Sequence, residues 1–84
     1  MDADDLDPLI WEAAELVIKN DLGSTSMLQR KLKIGFGRGS EIARQLTWLG
    51  VIGPTIGTKA GPVLIGLDQL EELRTNPVEK KFHP

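Results

Sequence analysis

Residues 24–50 read STSMLQRKLKIGFGRGSEIARQLTWLG, and this stretch decides the fold. Ser26 with Gln29 three residues on fits a capping box, and Ser24 is an alternative N-cap. A short helix is predicted over Thr25–Lys33, with Leu28 and Leu32 turned inward. Gly35 falls in the turn that follows and suits a backbone needing positive φ. A longer helix is predicted from Gly37 to Gly50. Its inward stripe is Ile42, Ala43, Leu46 and Leu49, and Gly50 supplies the stop. On a wheel, Gly37, Ser40, Glu41, Arg44 and Trp48 fall on the opposite side, with Arg38 at the helix start.

Upstream, Asp7-Pro8 marks a helix start, with Asp as N-cap and proline where its missing N–H costs nothing. Ile10, Ala13, Ala14, Val17 and Ile18 recur at helical spacing, and Asp21-Leu22-Gly23 forms the stop near Asn20. Downstream the period changes. Val51-Ile52, closed by Gly53-Pro54, and Val63-Leu64-Ile65, opened by Gly61-Pro62, predict two short strands around a glycine-containing loop. Leu67, Leu70 and Leu73 predict a last helical turn or two, with Asp68 as its cap. The fold class expected is mainly α with a small β-hairpin: a winged helix-turn-helix, three helices plus a wing, and a short C-terminal helix. The domain is placed at 7–73, with a flexible acidic arm at 1–6 and a flexible tail at 74–84.

The 84 residues suit one small domain, 40% hydrophobic and 26% charged. There are no cysteines, and the one histidine, His83, is next to last, so thiolate sites and His-based triads have no ligands. No cofactor and no metal are expected. The acids Asp2, Asp4, Asp5 and Asp7 lack the EF-hand spacing and read as a solvated arm, able also to mimic phosphate and compete with DNA. No set of positioned acid, base or nucleophile supports an enzyme. With no transmembrane stretch or signal peptide, the expected compartment is the cytoplasm, with no membrane partner.

The net charge of −2 conceals an asymmetry. Residues 1–21 carry −6, residues 22–66 carry +5, and the remainder −1. The cationic middle, rather than the total, governs any contact with phosphates. Arg38, Ser40, Glu41 and Arg44 are the candidates to face bases, because Arg pairs bidentately with guanine and Glu accepts from cytosine. Ser26, Arg30, Lys31, Lys33 and Lys59 are the candidates for phosphates. Trp48, on the outer side of the wheel, is either packed under the wing or an anchor for a protein partner. Trp11 reads as core or half-buried.

Gly23 to Phe36, together with Val51-Ile52-Gly53-Pro54 and Ala13-Ala14-Glu15-Leu16-Val17, resembles the gamma domain of FtsK/SpoIIIE-type DNA translocases. The likeness covers about residues 5–73. It implies a winged helix that reads short G-rich sequences, sits side by side with copies of itself on one site, and touches a tyrosine recombinase. It also carries Arg38 over as a base or phosphate contact, and Arg30 and Lys31 as backbone contacts. Gly37 lacks the side chain usual in that family, the signs at Glu41 and Arg44 are reversed, and Trp48 stands where a polar residue is usual. The family's sequence preference is therefore not carried over. The absence of a G-x-x-x-x-G-K-S/T loop removes an ATP motor from this sequence. A natural stand-alone protein is favoured here over an excised domain.

The expectation is a sequence-specific double-stranded DNA-binding protein. Its role would be that of a regulator or accessory factor in DNA translocation, recombination or transcription, with self-association on DNA. A protein-binding adaptor is the alternative. It would engage a recombinase, a translocase or itself through Trp48 and the wing.

Overall fold

A computed structural model describes residues 5–54 and 61–75. Four helices follow in order: α1 (Ile10–Asn20), α2 (Thr25–Leu32), α3 (Phe36–Leu49) and α4 (Leu67–Thr75). In α1 the buried positions are Ile10, Ala13, Ala14 and Val17, a spacing that gives one apolar stripe. The helix ends where Asp21 turns left-handed at φ 52°. The start differs from expectation by two residues. Asp7 does not cap α1 itself, because Leu9 occupies the cap position. Asp7 instead closes the turn before it: the Leu9 N–H donates to Asp7 Oδ1 at 2.8 Å and the Ile10 N–H to the Asp7 carbonyl at 2.9 Å.

Ser24, the second of the two candidate caps, opens α2 by accepting from the Met27 N–H at 3.3 Å, and Ser26 is exposed. Met27 and Leu28 are buried. Lys33 takes the left-handed conformation that ends α2, at φ 55°. Gly35, expected to need positive φ, has φ −79° and stands as the extended residue before α3. Gly50 ends α3 at φ 83°, as its position predicts.

Helix α3 packs against both α1 and α2, and α4 packs on α1. Ile42, Leu46 and Leu49 are fully buried at the centre, with Val17, Leu28 and Ile52 around them. Gly39, on the α2 side of α3, is also buried. A Cβ there would lie 3.0 Å from Gln29 Cγ and 3.4 Å from Thr25 Cγ2, so the missing side chain lets the two helices approach.

The expected hairpin is reduced. Among the described residues there is no strand. Two isolated antiparallel bridges stand in its place, Ile52 with Val63 and Gly23 with Gly61. The Gly53 N–H donates to the Pro62 carbonyl and the Leu64 N–H to the Val51 carbonyl, both at 2.8 Å. Pro54 and Pro62 both lie on the loop side of this pair and have no N–H to extend the ladder in that direction. A Cβ on Gly61 would land on the Gly53 carbonyl oxygen, and one on Gly23 would sit 2.9 Å from the Gly61 oxygen. The three backbones therefore meet with no room for side chains. The loop expected at 55–60, with Lys59, lies outside the described residues, as do most of both expected tails.

Helix α4 is longer than the turn or two expected. It buries Leu70, with Leu73 packed against the same core. Asp68 does not cap it. Gln69 does so by accepting from the Gly66 N–H at 3.1 Å, and Asp68 is exposed in the first turn.

Candidate nucleic-acid interface

The segment from Lys33 to Arg44 exposes Lys33, Phe36, Arg38 and Arg44. Arg30, Lys31 and Lys33 are exposed at the end of α2, and among the described residues none has a carboxylate within ion-pairing distance. Ser26 is exposed at the other end of the same helix. On α3, Ser40 and Glu41 are half-buried and Arg44 is exposed. Glu41 and Arg44 approach to 3.8 Å, one helical turn apart. At a separation of this kind, with both side chains substantially in water, the pair contributes little to stability. Gly35 and Gly37 open onto free space, with nothing within 4 Å of a built Cβ. Phe36, between them, is 70% exposed. Gly35, at the cap position, has no side chain, so no side-chain cap covers the first turn of α3.

The four candidate base contacts span an arc of about 160° on α3, with Arg38 at one edge of it. At about 100° per residue, Arg38 lies only about 20° from Gln45 and about 120° from Arg44. Ser40 and Arg44 sit on the outer stripe. Arg38 sits on the stripe that lower down enters the core, and it escapes burial because it belongs to the first turn.

There it meets a partner that wheel geometry does not anticipate. Arg38 Nε–H donates to Asp7 Oδ2 and Nη2–H to Asp7 Oδ1, both at 2.9 Å. This is a side-on, two-bond fork of the kind that fixes a guanidinium in direction as well as position. The Asp7 side chain is 13% exposed and that of Arg38 48%. The hydrogen bond from Arg38 holds the Asp7 carboxyl below the usual carboxylate range. Burial opposes this, and the Leu9 N–H assists it. Reciprocally, Asp7 raises the pKa of Arg38.

Gln45 completes the arrangement and is missing from the sequence reading. It is the one buried polar side chain among the described residues, at 3% exposure. Its Oε1 accepts from the Asp7 N–H at 2.8 Å, and its Nε2 donates to the Asp5 carbonyl at 3.4 Å. The signal was an amide in the apolar stripe Ile42–Leu46–Leu49. A polar residue there must find partners inside the fold.

Trp48, read from the wheel as facing outward, is half-buried and packed against the hydrophobic core. Trp11 is also half-buried and packed on that core. No group of three or more potential metal ligands occurs among the described residues. No helix among them is long and apolar enough to cross a membrane.

Three core helices, packed together with exposed cations at the end of α2, define a small helical domain. The profile of the FtsK gamma domain family matches residues 4–66, and the chain belongs to that family. It is 47% identical over 70 residues to a DNA translocase FtsK of Corynebacterium efficiens, covering 83% of this chain and 7% of the relative. It is 43% identical to the DNA translocase FtsK of Mycobacterium tuberculosis, covering 80% of this chain and 8% of that one. For the DNA translocase FtsK of Chlamydia trachomatis the identity is 42%, with 86% of this chain and 9% of the relative covered. The chain thus spans less than a tenth of the length of these relatives.

Proposed function

We propose that this chain is a double-stranded DNA-binding domain of winged helix-turn-helix type, reading sequence through the first half of α3 and carrying no catalysis of its own. Membership of a domain family borne by DNA translocases is the observation that carries the reading. The exposed cations Arg30, Lys31 and Lys33 beside the open first turn of α3 support it. In this geometry the N-terminal residues of the recognition helix meet base edges, and the preceding helix meets the backbone. Arg38, Ser40, Glu41 and Arg44 are assigned to bases, and Ser26, Arg30, Lys31, Lys33 and Lys59 to phosphates. The role follows as a regulator or accessory factor in DNA translocation, recombination or transcription, with copies side by side on DNA and a tyrosine recombinase or translocase as protein partner. The cytoplasm is its proposed location. The adaptor alternative would use Trp48, which is half-buried against the core, together with the wing.

Selection of bound duplexes from a random pool at two salt concentrations tests the reading. Four cations on phosphates give a slope of log affinity on log salt of about −4, together with an enriched motif. Binding that ignores salt and enriches nothing would refute it.

A further inference from the structure

Arg38 uses only one edge of its guanidinium on Asp7. Of its five N–H groups, Nε–H and one Nη2–H are engaged. The other Nη2–H and one Nη1–H form the outer edge, the second Nη1–H points toward the Cδ side, and no acceptor among the described residues engages Nη1. That outer edge is a second fork, spaced for two acceptors side by side. Asp7 in turn is not a mobile surface acid. Its carboxylate accepts from the Leu9 N–H, and its own N–H is fixed by the buried amide of Gln45. The chain of support therefore runs from the core through Gln45 to the Asp7 backbone, then through the Asp7 carboxylate to Arg38. A long side chain in the first turn of α3, 48% exposed, would otherwise sample many rotamers.

Resting on the DNA reading above, we propose that Asp7 is a positioning residue. It orients Arg38 so that the outer edge of the guanidinium meets the O6 and N7 acceptors of a guanine. The inference separates two ways in which an acid beside a DNA-facing arginine can act. As a mere counter-charge it competes with phosphate and lowers affinity for every sequence alike. As a buttress it leaves non-specific affinity low but sharpens the choice of one base pair, because an oriented fork fits guanine and no other base as well. The side-on geometry favours the buttress, since it leaves the base-matching edge outward.

The test uses the full chain and a duplex enriched from a random pool, compared with a scrambled duplex of the same composition. Asp7→Asn keeps an acceptor for the Leu9 N–H but loses the ionised partner of Arg38. It should lower the ratio of specific to scrambled binding about tenfold, with the loss confined to one G·C position. Affinity for the scrambled duplex should stay level or rise, because one negative charge has left the face. Arg38→Ala should lose preference at the same position, and adding Asp7→Asn to it should change the ratio no further. Arg38→Lys, which keeps the charge but has no fork, should lose the preference as well. Asp7→Glu should recover part of it. A ratio kept within twofold in Asp7→Asn overturns the proposal and leaves the DNA reading standing. Equal loss on both duplexes also overturns it, because it marks a structural or phosphate role. A wild-type chain without any sequence preference overturns the DNA reading and this proposal together.

Discussion

Replacing Gln45 by alanine tests the arrangement that joins the N-terminal segment to α3. The change removes an amide that is 3% exposed and makes two hydrogen bonds to the N-terminal segment, one at 2.8 Å and one at 3.4 Å. The shorter bond is worth about 1 kcal/mol net and the longer one about half that. The one lost methylene of the buried side chain adds about 0.8 kcal/mol. Loosening of segment 5–7 lets water reach the freed Asp7 N–H and returns part of this, so the net loss is about 2 kcal/mol. For a domain of this size, each kcal/mol moves the melting midpoint by about 4–8 °C, so a fall of about 10 °C is expected. A second signal is local. Once segment 5–7 is untied, Asp7 no longer holds its place beside Arg38, and its carboxyl titration should move up toward the ordinary aspartate range. Thermal melts followed by circular dichroism give the first quantity, and carboxyl-carbon NMR titration gives the second. A variant that melts within 2 °C of the wild type, with Asp7 still titrating low, would refute the reasoning.

Three further perturbations follow from the same structure. Because the folded-state pKa of Asp7 is lowered, its contribution to stability is fully present above about pH 4 and is lost as pH falls through the lowered value; the stability gap between wild type and Asp7→Asn, measured by urea unfolding, should therefore close on acidification. Gly61→Ala puts a methyl group onto the Gly53 carbonyl and must part the bridged segments, costing about 2 kcal/mol in a urea melt, whereas unchanged stability would show that the close approach is not required. Lys33→Gly relieves a left-handed lysine and should raise stability by about 0.5–1 kcal/mol, while the salt dependence of DNA affinity weakens by about one unit of slope.

The helices are legible in the sequence where burial is periodic. Ile10, Ala13, Ala14 and Val17 predict α1, and Ile42, Leu46 and Leu49 predict α3, because a 3.6-residue period leaves few other ways to bury them together. Gly50 marks the end of α3 for the same local reason. Elsewhere the competition is between groups far apart in the chain, and local rules do not decide it. The left-handed turn after α2 falls on Lys33 although Gly35 is two residues away, because the helix ends where its last carbonyls are met, not where glycine stands. Strand propensity at Val63-Leu64-Ile65 gives only one bridged residue, Val63 opposite Ile52, because pairing is decided by the facing segment and not by local preference. Asp7 reads as a helix cap, and its carboxylate does close a turn, but its main partner is 31 residues away. Arg38 stays exposed at the helix start although Gln45, two turns further on along the same stripe, is buried. A lone amide in an apolar stripe was the clue to both.

The staple formed by Asp7, Gln45 and Arg38 also gives the domain a mechanical polarity. Tension applied through the N-terminal end meets the hydrogen bonds that tie residues 5 and 7 to α3 before it reaches α1. Pulling through α4 instead strains its seat on α1 and leaves the cationic tip of α3 undisturbed. A bulky tag or tether fused at one end of this chain is therefore not equivalent to the same cargo at the other.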